Sequence, residues 1–312
     1  MNSIDCLDRI MNLQTPLVQS SEDDRIFMKL EGGSLNYNHK FRSAAYLVKK
    51  ALEANIDLSK VADRSSGSWS MALSHCVYLA KGKSQFITTK VPHPYLAKIV
   101  ESKNGVFKMV KNNSVRIEEL NKLVHDEGWY TFNQHSNLDL INAFKETLGR
   151  QLVNDLNFMG ISPKYIVAPV GTGGLLAGAS LALKENKFAT KIVGCDISSS
   201  IVNQAKRSMT YKLSACRGVG SEDEICHTFI ESSKYIDEIL VSNIYNTLHE
   251  MKRFTNRYPF TVGMSTCLAL SVVKTHLLKK CRANESILII SPDRGETYTD
   301  EINCALKIYN GY

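Results

Sequence analysis

Residues 164–178 read KYIVAPVGTGGLLAG: an apolar run, a turn with three glycines, and the opening of a helix. A short, continuously apolar strand is the signature of a strand covered on both faces, as in parallel sheets. The turn Gly171-Thr172-Gly173-Gly174 lets backbone N–H groups approach an anion closely, and the following helix adds its positive N-terminal potential. A phosphate cradle, a dinucleotide site and a structural turn all fit this segment. It is not a P-loop, because no Gly-Lys-Ser/Thr follows. The G-x-G-x-x-G spacing fails at Leu176, although Asp196 ends the next apolar run about where a ribose-binding carboxylate would sit.

The same alternation extends outward. IFMKL (26–30), KIVGCD (191–196) and SILIISP (286–292) read as further strands. FRSAAYLVKKALEAN (41–55), VRIEELNKLVHDEG (115–128), LLAGASLALKEN (175–186) and STCLALSVVKTHLLKK (265–280) read as helices. Strands separated by helices of this length predict βαβ units, an α/β fold with mostly parallel sheets, and ligands at the C-terminal ends of strands. At about 100–200 residues per domain, 312 residues suggest two domains.

Bulk composition removes several classes. The chain is 44% hydrophobic and 22% charged, ordinary for a globular protein and unlike a disordered one. It has no apolar run of about 18 residues, and residues 1–19 carry Asp5 and Asp8 without a secretory h-region. The eight cysteines form no C-x-x-C pair, and the eight histidines form no H-E-x-x-H motif, so no metal site is expected. The cysteines read as free thiols in a reducing cytoplasm. The net charge of +7 is spread in pairs such as Lys49–Lys50 and Lys279–Lys280. Those pairs read as solvated helix faces rather than a nucleic-acid patch.

Other strand-to-helix junctions carry polar residues. Lys40 follows Asn38-His39 at a helix start, where the dipole opposes its charge and favours a neutral, nucleophilic amine. Ser65-Ser66-Gly67-Ser68-Trp69-Ser70 opens another helix, and its hydroxyls and N–H groups suit a carboxylate or a phenolate. Phe132-Asn133-Gln134-His135-Ser136-Asn137, Gly263-Met264-Ser265-Thr266 and Ser291-Pro292-Asp293-Arg294-Gly295-Glu296-Thr297-Tyr298 complete the set. Each alone reads equally well as a turn.

Together and in order, these segments resemble the fold type II pyridoxal-phosphate (PLP) enzymes of the cysteine synthase and cystathionine β-synthase family. Gln14-Thr15-Pro16-Leu17-Val18 is similar to that family's opening T-P-L-V. Lys29-Leu30-Glu31 with Lys40 and Arg42 resembles its K-x-E…K-x-R, whose lysine carries the cofactor. Ser65 to Ser68 stands where the family has T-S-G-N, and Gly171 to Gly174 resembles its phosphate loop. Gly218-Val219-Gly220 resembles its G-I-G, and Gly263-x-Ser265 the segment whose serine faces the pyridine nitrogen. VAPV (167–170), NQ-x-x-N (133–137) and PDRG-x-x-Y (292–298) look most like the siderophore-pathway branch, N-(2-amino-2-carboxyethyl)-L-glutamate synthase. Ser68, Trp69, Phe41, Met264 and Cys267 depart from the family's usual residues.

The resemblance implies a tryptophan synthase β-like fold of two interleaved open sheets flanked by helices. A smaller mobile domain would span 43–140, with 1–42 and 141–312 forming the larger, cofactor-binding one. It implies Lys40 as the catalytic, PLP-bearing residue. Ser68, Gly171, Thr172, Gly173, Gly174 and Ser265 would complete the cofactor site. Ser65, Ser66, Gly67, Gln134, Arg116 and Gly218 would hold substrate. The implied reaction is β-replacement on an activated L-serine, O-phosphoserine or O-acetylserine, through an aminoacrylate, with an amine (glutamate-like) or sulfur nucleophile. A serine/threonine dehydratase-type lyase and a catalytically silent PLP-fold binding partner are the alternatives. Expected partners are small amino acids and a second copy of the chain, with no nucleic acid and no membrane.

Overall fold

The computed structural model describes residues 2–33, 38–197, 219–220 and 225–303. Two sheets organise them. The larger contains β1 (Leu17–Gln19), β2 (Ile26–Leu30), β6 (Tyr165–Pro169), β7 (Lys191–Ile197), β8 (Glu238–Ser242) and β9 (Ile287–Ser291), in the order β1-β2-β9-β6-β7-β8. Only β1 runs antiparallel to its neighbour. The smaller sheet is β3 (Lys60–Arg64), β4 (Lys83–Thr88) and β5 (Gly105–Met109), all parallel.

The larger sheet is buried on both faces, which is why its strands are continuously apolar in sequence. Ile26, Met28, Tyr165, Val167, Val193, Cys195, Ile287 and Ile289 face one core, against α10 (Ile244–Arg257) and α11 (Met264–Val272). The alternate residues Ile166, Ala168, Ile192, Leu288 and Ile290 face the other, against α7 (Arg150–Met159) and α8 (Gly174–Glu185). The smaller sheet does the same on a lesser scale. Val61 and Phe86 pack with α2 (Lys40–Glu53) and α3 (Ser68–Leu79), whereas Ala62 and Ile87 pack with α5 (Asn113–His125). Each fully buried aliphatic side chain contributes about 1.5–3 kcal/mol, so these layers carry the stability.

The strands and helices read from sequence lie within a residue or two of the observed ones, apart from two ends. The helix read over 115–128 stops at His125. The helix over 265–280 keeps α geometry only to Val272, then passes into a wider π turn, Val273–Leu277, and a last 3₁₀ turn. The extra residue per turn re-phases the buried stripe. Val273 and Leu277 stay inside while Lys274 reaches Glu22 and Glu250. Lys279 and Lys280 are exposed, as read. Lys50 is exposed too but pairs with Asp139 at 2.9 Å, and Lys49 pairs with Asp8 at 2.7 Å, which pins α2 to α1 (Ser3–Met11). The six cysteines within the described residues are free thiols. No helix among the described residues is long and apolar enough to cross a membrane.

Candidate active site

Lys40 is the first residue of α2, and Glu31 and His39 are held by the strand end beside it. Glu31 N donates to Ser291 O at 2.9 Å, and His39 N donates to Pro292 O at 2.7 Å. His39 Nδ1 lies 3.2 Å from the same carbonyl, which can only accept, so Nδ1 carries the proton. Burial pushes the His39 pKa down to about 3, with the Lys40 charge adding to it, so this ring is neutral. It stacks on Phe144 with centroids 5.6 Å apart.

Lys40 is half-buried along its length, and its Nζ lies 6.0 Å from the Phe144 ring centroid. Burial lowers its pKa to about 8, weakly opposed by Cys226. The sequence pointed to the helix dipole as the source of such a shift; desolvation is the larger cause here. A lysine poised near neutrality is a competent nucleophile and proton carrier. Competitive acetic anhydride labelling of the apo-protein should therefore give Lys40 a midpoint near pH 8, well below the exposed lysines. A midpoint above 10 would contradict the desolvated setting.

Beneath Lys40, the letters that carried the family resemblance form one buried network. Arg42 Nε donates to Glu31 Oε2 at 2.6 Å, and both side chains are 1% exposed. Glu31 Oε1 accepts from Thr15 Oγ1 at 2.7 Å and from Arg42 Nη2 at 3.0 Å. Arg42 Nη1 donates to Met11 O at 3.0 Å. Lys29 Nζ donates to Thr15 O and Asp155 Oδ2, each at 2.6 Å. Thr15, Lys29, Glu31 and Arg42 thus fix the base of the Lys40 helix.

The 171–174 loop runs from β6 into α8. Gly173 has φ +77, a left-handed conformation, and a Cβ there would lie 2.6 Å from Ser232 Cβ, so only glycine fits without strain. Ser232 Oγ is buried and without a hydrogen-bond partner among the described residues. Phe144 links this loop to Lys40, since its ring also borders Gly174.

Ser265 sits in the first turn of α11, and its Oγ donates to Asp293 Oδ1 at 3.4 Å. Asp293 also accepts from Tyr298 Oη at 2.9 Å, and its carbonyl accepts from Gly263 N at 3.1 Å. A Cβ on Gly263 would fall 1.9 Å from Asp293 Oδ1, so glycine is required for this close approach. Asp293 pairs its backbone with Asn38. Asn38 Oδ1 accepts from Lys40 N at 2.9 Å, and its Nδ2 has no partner among the described residues. A small cavity is lined by Asn38, Asp293 and Arg294 on one side and by Ser68 and Met71 on the other.

Ser65 to Ser68 lie between β3 and α3. Ser65 Oγ accepts from Gly67 N and Ser70 N, both at 3.2 Å, so this hydroxyl also caps the helix. Gln134 is buried, and its Nε2 reaches Arg64 O at 3.4 Å. Its carbonyl accepts from Thr228 Oγ1 at 3.1 Å, tying the 132–137 loop to α9 (His227–Ser232), the helix that holds Ser232 against Gly173. His135 has its pKa pushed down to about 4, first by burial and then by the charges of Arg64, Arg116 and Lys40. Arg116 therefore lies within electrostatic reach of this cluster. Gly218 falls outside the described residues.

These contacts link Lys40, Ser68, the glycine loop, Ser65, Gln134 and Ser265 in one neighbourhood. Residues 10–293 match the family described as pyridoxal-phosphate dependent enzymes. The chain belongs to that family. Its fold is shared with a hydrogen sulfide-producing enzyme from Fusobacterium nucleatum, at 21% identity and TM-score 0.82, covering 95% of this chain and 99% of that one. It is equally similar to an O-acetylserine-dependent cystathionine β-synthase from Helicobacter pylori, at 20% identity and TM-score 0.82 (96% and 97% covered). An O-ureido-L-serine synthase matches at 17% identity and TM-score 0.82 (96% and 93% covered).

The residues present fit PLP: a desolvated lysine amine, a glycine loop at a helix N-terminus, and two buried polar atoms, Asn38 Nδ2 and Ser232 Oγ, left without partners among the described residues. The sequence reading missed three groups that shape this site. His39 and Phe144 looked like ordinary loop and core residues. Asp63, a carboxylate at the end of β3, gave no motif signal; an acidic residue in a short strand feeding a polar helix start was its only trace.

Proposed function

We propose that the chain catalyses PLP-dependent β-replacement on an activated L-serine, O-phosphoserine or O-acetylserine, with an amine (glutamate-like) or sulfur nucleophile. The observation that carries this reading is the Lys40 amine, its pKa lowered to about 8, beside a glycine loop and two polar helix starts. The activities of the structural relatives support it, since two of them use or make O-substituted serines and one produces hydrogen sulfide.

Bound PLP supplies an electron sink for the carbanion at the substrate Cα. The protein's residues do the rest. Gly171, Thr172, Gly173 and Gly174 hold the phosphate through backbone N–H groups. Ser265, turned toward Asp293, would meet the ring nitrogen, and Ser68 stands on the opposite wall of the cavity. Ser65, Ser66, Gly67 and Gln134 orient the substrate carboxylate. Lys40, as a neutral amine, would take the Cα proton at Nζ and return one when the nucleophile has added. Arg116, within electrostatic reach of His135, would meet the second substrate, and Gly218 belongs to the segment that the family resemblance assigns to the active-site mouth.

The separate three-stranded sheet supports taking 43–140 as the smaller, mobile domain, with 1–42 and 141–312 as the larger. We take the enzyme to be a cytoplasmic homodimer serving amino-acid biosynthesis, on the siderophore-type branch where the nucleophile is an amine.

The test incubates PLP-loaded protein with O-phosphoserine, O-acetylserine or serine, with and without glutamate or sulfide. The expected result is release of phosphate or acetate that depends on the nucleophile, with a coupled amino acid as product. Pyruvate and ammonia alone would indicate a dehydratase-type lyase. A PLP-loaded protein that releases nothing from any donor would indicate a silent partner.

A further inference from the structure

We propose that Asp63 is the positioning residue of the substrate-carboxylate cradle, its buried carboxylate locking the 65–68 loop and the 132–137 loop into one arrangement through Trp69, Arg64 and Gln134. This deepens the function proposed above and rests on that reading.

Asp63 is the penultimate residue of β3 and is 0% exposed. Its Oδ1 accepts from Arg64 N at 2.7 Å and its Oδ2 from Trp69 Nε1 at 2.9 Å. Gln134, on the loop opposite, bears on it as well, its backbone N–H helping to hold the carboxyl pKa down. The carboxylate thus serves two donors, the strand end that launches residues 65–68 and the helix that follows them, and lies within electrostatic reach of the loop opposite. Gln134 closes the circuit, since its Nε2 reaches Arg64 O at 3.4 Å.

The chemistry demands an acceptor-only group. An ionised carboxylate offers lone pairs to both N–H groups, whereas an amide would turn an NH₂ toward one of them. Burial pushes the Asp63 pKa up to about 6, so the group is ionised at neutral pH. Hydrogen bonds to a buried charge are worth more than neutral ones, and an unmatched donor there is costly. Trp69 is 2% exposed and belongs to the same core as Phe41, which follows Lys40. The indole therefore ties the cradle to the helix carrying the lysine. Asp63 faces no substrate itself and acts through the loops it holds.

The test compares wild type, Trp69→Phe, Asp63→Asn and the double variant as PLP-loaded proteins. Trp69→Phe keeps the ring and removes only the N–H, so it guards against a variant that fails to fold. Binding of L-serine by calorimetry and steady-state kinetics with the best donor are measured beside PLP affinity. Trp69→Phe should raise the serine Kd and the donor KM about 10-fold, and Asp63→Asn about 10–100-fold. In both, kcat should change less than about 3-fold and PLP affinity should stay at the wild-type level. The double variant should match Asp63→Asn alone, because both changes cut one link. Unchanged Kd and KM in Trp69→Phe, or a fall confined to kcat or thermal stability, overturns the positioning role while the proposed function stands. A PLP-loaded wild type that binds no amino acid overturns the proposed function, and this role with it.

Discussion

Lys40→Ala is expected to reduce turnover by about 10³-fold or more, since one side chain supplies both the cofactor's amine partner and the proton carrier at Cα. The fold should survive. Burial lowers the Lys40 pKa, so the folded chain binds fewer protons there than the unfolded chain between about pH 8 and the ordinary lysine value. The desolvation cost is therefore complete below about pH 8 and fades as the pH rises through that window. At pH 7 the apo form of Lys40→Ala should unfold at the same temperature as wild type or slightly above it. Turnover within 10-fold of wild type, or a collapsed melting temperature, would remove Lys40 from the centre of the site.

Glu31→Ala is expected to produce the largest loss of stability, about 3–5 kcal/mol, because it leaves the Arg42 guanidinium buried without its counter-charge. Against a typical total of about 5–15 kcal/mol, that is enough to unfold much of the protein at physiological temperature. The effect should appear as a lower urea midpoint with an unchanged slope. Pairing Glu31→Leu with Arg42→Met should recover most of the loss, since no charge is then stranded. A single-variant loss below about 1 kcal/mol would show that Arg42 is satisfied without Glu31, through Thr15 and the Met11 carbonyl. Activity should fall with stability here, as the network holds the base of the Lys40 helix and touches no substrate.

The larger sheet was legible in the sequence because double burial writes a continuous apolar word for each strand, as in Tyr165–Pro169 and Ile287–Ser291. The smaller sheet was not. KVADR, KSQFIT and GVFKM mix charge with apolar residues, because β5 is largely open to solvent and β3 ends in functional polar groups. The site divided in the same way. Lys40, the glycine loop and the serine-rich helix start were readable because each is local. The role of Thr15, Lys29, Glu31 and Arg42 was not, although their letters matched. Their contacts join residues up to 136 positions apart, and only the fold reveals a single buried network. Asp63 was invisible for a related reason: its donors come from the adjacent residue and from six residues on, and the loop it bears on electrostatically lies some 70 residues away.

The central claim is that PLP is carried on Lys40. The direct measurement loads the protein with PLP, reduces it with borohydride, digests it, and locates the phosphopyridoxyl group by mass spectrometry. One group per chain, on the peptide containing Lys40 and absent from Lys40→Ala, is the expected result. A label on another lysine, or an unmodified chain after saturation with PLP, would contradict it.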